Sequence, residues 1–321
     1  VLLLLPAADW LGWLPPAQPG LDPDQAVLAY QAQASAAPSA AEIVLLGDSS
    51  CLMGVDAPAL TQKLAEHPPV INLGLIIGLG LDADGEVLED FLLYHPRQVG
   101  LVVLLVTPAM LEDADQVPYF VTLWRRLHPP GGSRTAPNRA RAWSLTRGPR
   151  LFRQRLLCHV LAEPLHGTDA DFYGFSSGLL DYLAAHHGSL TTGAAYHRSR
   201  RGMRILYSLA PTFAPASRRF RRQVPANLTL AVGLTPVPET LVPLDYRAQR
   251  DALLRQWNRW LGAQVLLTNL PATLPDRLFA TGAHLNRRGQ RWFTAALAKC
   301  LTPTSAQLHL ASNSPRHPGA P

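Results

Sequence analysis

Short, fully apolar runs alternate with helix-like segments in the first and last parts of the chain. Apolar runs that are rich in β-branched residues are typical of strands buried inside a parallel sheet. They predict five strands, at Ile43–Leu46, Val70–Leu73, Val99–Val106, Leu228–Gly233 and Gln264–Thr268. Helical patterns accompany them at Ala57–Glu66, Gly85–Tyr94, Tyr246–Leu261 and Arg287–Leu301. Because parallel strands need crossover helices, the alternation predicts an α/β fold with a doubly wound, mostly parallel five-stranded sheet.

The strand–helix alternation stops between about residues 113 and 223, where the chain contains loop-like stretches such as Pro129–Gly132. We therefore expect one α/β domain over residues 42–301, interrupted by a long, mostly helical insertion at about 113–223. Residues 1–41 are expected to form a membrane-proximal tail and linker, in which Leu21–Ala41 is a polar linker or a helix. Residues 302–321 are expected to form a disordered tail.

The first residues, Val1–Leu5, are all apolar. Five residues cannot cross a bilayer, which needs about 20, but they match the end of a longer hydrophobic segment. Trp10 and Trp13 would then lie at the membrane interface. The alternative is a short tail that packs on the domain. The first interpretation predicts a protein anchored in a membrane or located in the cell envelope, on the periplasmic or extracytoplasmic side.

Composition narrows the class of protein. The chain has 321 residues, of which 47% are hydrophobic, and this argues against disorder. Its 3 cysteines lie far apart and offer neither a disulfide framework nor a zinc knuckle. His186, His187 and His197 have no partners at a ligand spacing, so no metal site is expected. Gly74, Gly78 and Gly80 lack the third glycine of a dinucleotide loop, so no cofactor is expected.

The net charge of +6 is unevenly distributed. Residues 113–223 hold 17 arginines and 6 acidic residues, a net charge of +11, which leaves −5 for the rest. Arg147–Leu161 predicts a helix that lies on an anionic membrane surface or covers the active site. Arg198–Arg201 and Arg218–Arg222 predict contacts with anionic lipid or polysaccharide. Solvated faces and packing on the domain are the structural alternatives. Because no nucleic-acid-binding motif accompanies these segments, no nucleic acid is expected as a partner. The oligomeric state is left open.

Candidate chemistry follows the predicted strands at their carboxyl ends, where open α/β sheets bind ligands. Ser49 follows the first strand, Gly74 the second, and His284 lies on a loop after the last. A hydroxyl, a neutral imidazole and backbone amides are what acyl transfer to a serine needs. The structural alternative is that Asp48 and Ser49 are ordinary helix caps, for which both residue types are favoured.

Three blocks of the sequence resemble the SGNH or GDSL-type hydrolases: Ile43-Val-Leu-Leu-Gly-Asp-Ser49, Asn72-Leu-Gly74 and Gly282-Ala-His-Leu-Asn-Arg-Arg-Gly289. The resemblance covers roughly residues 42–107 and 228–301. It implies a flavodoxin-like SGNH fold with Ser49 as nucleophile and His284 as general base. It further implies the backbone N–H groups of Ser49 and Gly74 as oxyanion donors, with Asp48 and Asn286 in supporting roles.

Two positions depart from the family pattern. The acid that normally stands three residues before the histidine is replaced by Thr281, which cannot carry a negative charge. The asparagine of the third block is also absent, because the third strand continues into Thr107-Pro108. The site is therefore interpreted as a Ser–His dyad, as a triad completed by another acid, or as inactive. Asp276, eight residues before His284, is the candidate acid.

Within the family, the chain is most similar to membrane-anchored members that act on envelope polysaccharides, including O-acetyltransferases. The resemblance predicts a serine-dependent esterase or O-acyltransferase that acts on a small-molecule or glycan ester through a covalent acyl-enzyme. The alternative is a catalytically silent SGNH-like module that binds an envelope polysaccharide or a protein partner through the basic insertion.

Overall fold

The computed structural model describes residues 23–76, 79–95, 98–112, 121, 124–125, 179–192 and 205–312. A sheet of five parallel strands lies at its centre, formed by β1 (Ile43–Gly47), β2 (Val70–Asn72), β3 (Leu101–Val106), β4 (Thr229–Leu234) and β6 (Val265–Leu266). The strands are ordered β2-β1-β3-β4-β6. The chain thus runs outward from β1 in both directions, which is compatible with a doubly wound α/β fold.

Eight helices are described. They are α1 (Pro23–Ala36), α2 (Ser49–Gly54), α3 (Ala57–Lys63), α4 (Gly80–Tyr94), α5 (Leu179–Ala185), α6 (Phe213–Gln223), α7 (Tyr246–Leu261) and α8 (Arg287–Ser312). Two further strands, β5 (Val237–Pro238) and β7 (Thr273–Leu274), pair in parallel beside the main sheet. No helix within the described ranges is long and apolar enough to cross a membrane.

The sheet is buried on both faces because alternate strand residues point to opposite sides. Val44 and Leu46 belong to one core cluster, together with apolar residues of α1, α4, α6 and α7. Ile43 and Leu45 belong to the other, together with apolar residues of α3 and α8. Both clusters consist of side chains that are almost fully buried, and this explains why β1 and β3 are apolar at every position. The predicted five-stranded α/β architecture is confirmed at this level.

The predicted N-terminal linker is a structural helix. In α1, Val27 and Leu28 are fully buried, and the Gln31 amide donates to the carbonyl oxygens of Asn72 at 3.2 Å and Gly74 at 2.9 Å. Residues 23–36 of the expected tail and linker are thus helical, which is one of the two alternatives that the sequence left open for Leu21–Ala41. The composition is polar and alanine-rich, but a few apolar residues on one face are enough to dock the helix on the core.

The described end of the predicted insertion belongs to the layer of helices over the sheet. Phe213, Ser217 and Phe220 of α6 are buried at i, i+4 and i+7, and the helix packs against α4 and α7. The charge pattern of this segment did not indicate the apolar face, because four arginines lie on the same helix. Helix α5, which also lies in the predicted insertion, is partly buried. Arg147–Leu161 and Arg198–Arg201 lie outside the described residues.

The C-terminal helix continues beyond the predicted end at Leu301. Pro303 removes one backbone hydrogen bond from α8. The hydroxyl of Thr302 donates to the Ala298 carbonyl at 2.8 Å, and Leu301 and Thr304 are buried. The helix continues past the proline to Ser312. The prediction of a disordered tail is wrong for residues 302–312, and its remainder, 313–321, lies outside the described residues.

Candidate active site

The turn after β1 brings the predicted nucleophile to the carboxyl edge of the sheet. Gly47 has a φ of 135°, a conformation that side chains with a Cβ rarely adopt. A Cβ at this position would lie 1.7 Å from the Leu105 carbonyl oxygen on the neighbouring strand. Only glycine therefore lets the chain leave β1 here, turn sharply and begin α2 at Ser49.

Asp48 holds this turn together. It is the N-cap of α2, and Oδ1 accepts from the Ser50 N–H at 2.9 Å and from the Ser50 hydroxyl. Oδ2 accepts from the Thr107 N–H at 2.8 Å, which ties the start of α2 to the end of β3. Burial raises the pKa of Asp48, while these hydrogen bonds act in the opposite direction. Asp48 is therefore placed to support the turn.

Ser49 and His284 meet at this edge. Ser49 is 7% exposed, and its Oγ lies 2.8 Å from Nε2 of His284. This is the contact that a serine nucleophile and its general base require. The Ser49 N–H takes part in no hydrogen bond within the part of the chain that the structure describes. It lies at the first position of α2, where backbone N–H groups have no partner inside the helix.

The histidine loop is held in place by Asn286. Its Nδ2 donates to the carbonyl oxygens of Arg277 at 2.9 Å and Phe279 at 3.1 Å. Its Oδ1 accepts from the N–H groups of Arg288 at 3.1 Å and Gly289 at 3.2 Å, and so caps the start of α8. Asn286 thus connects the loop to a rigid helix, which is a supporting role.

Thr281 occupies the place where a catalytic acid would act. Its Oγ1 lies 2.8 Å from Nδ1 of His284. The same oxygen accepts from the N–H groups of Ala283 at 3.2 Å and His284 at 3.1 Å. Burial lowers the pKa of His284 from 6.5 to about 4. The imidazole is therefore neutral at neutral pH, as a general base must be.

The candidate acid Asp276 faces another residue. Its two carboxylate oxygens accept from the N–H of Thr240 at 3.3 Å and from the Thr240 hydroxyl at 2.5 Å. Asp276 opens a short 3₁₀ turn at Asp276–Leu278. The structure therefore couples Asp276 to Thr240 and places Thr281, rather than Asp276, at Nδ1 of His284.

Gly74 is positioned differently from an open oxyanion donor. Its N–H donates to Oδ1 of Asn72 at 3.0 Å. A Cβ on Gly74 would lie 2.8 Å from the backbone nitrogen of Leu52, so the glycine allows close packing against α2. Asn72 is fully buried, and its Nδ2 donates to the carbonyls of Cys51 at 3.2 Å and Val55 at 3.3 Å. Asn72 thus joins β2 to α2 through Nδ2, while its Oδ1 occupies the Gly74 N–H.

Asp84 is a buried carboxyl group that the sequence interpretation missed as part of the site. Its Oδ1 accepts from the Gly47 N–H at 3.0 Å and so supports the turn from below. Burial, with the charge of Asp48 as a smaller cause, raises the pKa of Asp84 to about 8. The signal was present in the sequence, because Asp84 lies on the apolar face of α4 between Leu81 and Leu88, both fully buried.

Cys51 is buried beneath the serine. Burial raises the pKa of its thiol well above the ordinary value, and the charges of Asp48 and Asp84 act in the same direction. A thiol of this kind does not form the thiolate that nucleophilic chemistry needs. No group of three or more His, Cys, Asp or Glu side chains that could hold a metal ion occurs among the described residues.

Comparison with protein-family models found no matching family, and comparison with curated proteins found no similar sequence. The chemical meaning of the site therefore rests on its own geometry.

Proposed function

We propose that the protein is a serine-dependent esterase or O-acyltransferase of the SGNH type. The observation that carries the proposal is the distance of 2.8 Å between Ser49 Oγ and His284 Nε2 at the carboxyl edge of a parallel sheet. Three blocks of sequence resemblance converge on this edge, and two of them supply the reacting pair. The neutral histidine and the helix start at Ser49 are consistent with the same chemistry.

In the proposed mechanism, Ser49 Oγ attacks the carbonyl carbon of an ester while its proton passes to Nε2 of His284. The oxyanion that forms lies near the Ser49 N–H at the start of α2. The tetrahedral intermediate collapses, the C–O bond of the ester breaks, and the leaving alcohol takes the proton from His284. The product of this step is an acyl-enzyme on Ser49. Water or a sugar hydroxyl then gives its proton to His284 and attacks the acyl group; the bond to Ser49 Oγ breaks, and Oγ takes the proton back from His284.

Two features of the site are expected to lower the rate of the proposed reaction. The Gly74 N–H can assist only if it leaves Oδ1 of Asn72. The imidazolium formed during the reaction faces the Thr281 hydroxyl instead of a carboxylate. In a serine-protease triad, an asparagine in place of the aspartate reduces turnover about 10⁴-fold. We therefore expect turnover to be slow compared with a complete triad.

The direct test is labelling with a serine-reactive fluorophosphonate, followed by mass-spectrometric mapping of the adduct. We expect the label on Ser49 and its loss in Ser49→Ala. Ser208→Ala is the matched control, because Ser208 is exposed and bonds Glu112 away from the site. Failure to label Ser49 under conditions in which a control hydrolase reacts would contradict the proposal.

We extend the proposal to an ester on a cell-envelope glycan, with the protein at the membrane or in the envelope. The resemblance to family members that act on envelope polysaccharides and the arginine-rich middle of the chain support this extension. Incubation with an O-acetylated envelope polysaccharide should release acetate or transfer it to a second glycan. Turnover of small aryl esters without any turnover of polysaccharide esters would contradict the extension while leaving the esterase proposal in place.

A second candidate is a catalytically silent module that binds an anionic envelope glycan or a protein partner. Two observations favour it: Thr281 stands where the acid should be, and the Gly74 amide is engaged by Asn72. On α6, Arg219 pairs with Asp82 at 2.7 Å, whereas Arg218 and Arg222 are exposed. Glycan binding that survives Ser49→Ala but falls in Arg218→Glu/Arg222→Glu would support this candidate. Ester turnover abolished by Ser49→Ala would exclude it.

A further inference from the structure

Thr281 has a complete set of hydrogen bonds, and these determine the direction of its hydroxyl group. A threonine hydroxyl carries one hydrogen and two lone pairs. The N–H groups of Ala283 and His284 can only donate, and both lie within hydrogen-bond distance of Oγ1, at 3.2 and 3.1 Å. They occupy the two lone pairs. The hydroxyl hydrogen is left for the third neighbour, Nδ1 of His284 at 2.8 Å.

We propose that Thr281 holds His284 in the tautomer that carries its proton on Nε2. If the Thr281 hydroxyl donates to Nδ1, that nitrogen must be unprotonated, and the single proton of the neutral ring lies on Nε2. Nε2 is the nitrogen 2.8 Å from Ser49 Oγ. In the resting protein, the histidine therefore donates a hydrogen bond to the serine instead of accepting one from it.

A carboxylate at the same position would have the opposite effect. An ionised carboxylate only accepts hydrogen bonds, so it requires a proton on Nδ1 and leaves Nε2 free to accept. Threonine in place of aspartate therefore removes a negative charge. It also reverses the direction of the hydrogen bonds that connect residue 281, His284 and Ser49. Thr281 is a positioning residue, because it acts on the nucleophile through His284.

The consequence for catalysis rests on the proposed function, whereas the tautomer itself does not. To act as general base, Nε2 must give its proton to solvent water, and Nδ1 must take one from solvent water. The Thr281 hydroxyl must then turn from donor to acceptor and release one of its two backbone N–H partners. This rearrangement precedes attack by Ser49, so the resting site is held in a non-reactive arrangement that a change of residue 281 can reverse.

The tautomer can be measured directly by ¹⁵N NMR of the histidine side chain in the full-length protein at pH 7. The ring is neutral there, because the pKa of His284 is about 4. The two ring nitrogens of a neutral histidine differ widely in chemical shift according to which one is protonated. The His284→Gln variant assigns the signals. We expect protonated Nε2 in the wild type and in Thr281→Ser, which keeps the hydroxyl.

Two variants should change the tautomer. Thr281→Asp should move the proton to Nδ1, and Thr281→Val, which has a similar shape but no hydroxyl, should remove the preference for Nε2–H. The second variant keeps the test valid if the aspartate variant does not fold. Protonated Nδ1 in the wild type, or a spectrum of Thr281→Val that is identical to the wild type, would overturn the inference.

Fluorophosphonate labelling separates this inference from the proposed function. If both hold, Thr281→Asp should label Ser49 faster than the wild type, by up to about 10⁴-fold. The gain should appear in the maximal rate and not in the apparent affinity for the probe. If the NMR result is as expected but Ser49 is labelled in none of the variants, the tautomer stands and the proposed function fails. If wild-type Ser49 is labelled while Nδ1 is protonated, the function stands and the inference fails.

Discussion

Nε2 of His284 lies 2.8 Å from Oγ of Ser49, although 235 positions separate the two residues in the chain. The contact exists because β1 and the loop before α8 end at the same edge of the sheet. Each partner is held from its own side. Hydrogen bonds to Asp48 and Asp84 hold the turn that carries Ser49. Thr281 and Asn286 hold the loop that carries His284. The contact is therefore formed by the tertiary structure, because each of the two residues lies on a rigid turn at the same edge of the sheet.

Replacement of Gly47 by alanine should be severely destabilising. The new Cβ would meet the Leu105 carbonyl oxygen at 1.7 Å, in a backbone conformation with φ of 135° that alanine rarely adopts. Neither β1 nor β3 can move without loss of sheet hydrogen bonds. We expect the free energy of unfolding to fall by more than about 4 kcal/mol, as measured by urea denaturation.

Gly54→Ala is the matched control for this substitution. Its Cβ would make only ordinary contacts with Phe293, the nearest atom lying at 3.7 Å. We expect a small change in its unfolding midpoint. Equal stabilities of the two variants would show that the turn after β1 does not need glycine.

Replacement of Gln31 by alanine should destabilise the domain, since α1 is part of its core. The side-chain amide donates to two buried carbonyls, those of Asn72 and Gly74. Loss of the donor leaves both acceptors without this partner, and we expect a decrease of about 1–3 kcal/mol in the free energy of unfolding. Gln33→Ala, two residues along the same helix and only partly buried, is the control. Indistinguishable urea curves for the two variants would argue that α1 is dispensable.

The pH dependence of stability should report Asp84. Its pKa is about 8 in the folded protein, against 3.8 for the ordinary group. The folded state therefore holds this proton between these pH values while the unfolded chain releases it, and the stability contribution decreases as the pH rises from about 4 to about 8. Asp84→Asn stays neutral and can still accept from the Gly47 N–H. We expect the variant to gain stability over the wild type across this window.

The size of the gain should be a few kcal/mol, at about 1.4 kcal/mol for each unit by which the two pKa values differ. Urea denaturation at pH 4.5, 6.5 and 8.5 measures it. Glu89→Gln, an exposed position on the same helix, should show no such trend. A constant difference between Asp84→Asn and the wild type over this range would mean that Asp84 is ionised in the fold.

As the pH is lowered, Ser49 should keep its labelling rate to a lower pH than it would with a histidine of ordinary pKa. General-base catalysis needs the neutral imidazole, and burial lowers the pKa of His284 to about 4. The rate should therefore decrease near pH 4 instead of near 6.5. His284→Gln should label slowly at every pH. A midpoint near 6.5, with the protein still folded by circular dichroism, would contradict the burial of the ring.

The His284 imidazole should also make the stability of the folded protein depend on pH. Because the pKa of His284 is lower in the folded state than the ordinary value of 6.5, the unfolded chain takes up the proton first. Stability should therefore fall as the pH decreases from about 6.5 to about 4, and His284→Gln should lose less stability over this interval. Thermal denaturation of both proteins across the interval measures the difference.

The local sequence alone determined the five strands of the central sheet, four of the eight described helices and the candidate pair Ser49 and His284. The apolar runs around Ile43 and Val102 are long enough and branched enough to indicate buried parallel strands. Because the carboxyl ends of parallel strands share one edge, the sequence itself assigns Ser49 and His284 to the same site. These features follow from the hydrophobic pattern and from the rule that parallel strands end at the same edge of a sheet, and both apply to the sequence directly.

Only the tertiary structure decided which groups meet around that pair. The spacing of residues could not show that Asp276 bonds Thr240, that the Gly74 amide is used by Asn72, or that α1 and α6 pack on the core. A hydrogen bond forms between the groups that packing brings within about 3 Å, and the direction of a loop of eight residues is set by what it packs against. The partner of His284 therefore follows from packing and not from sequence spacing.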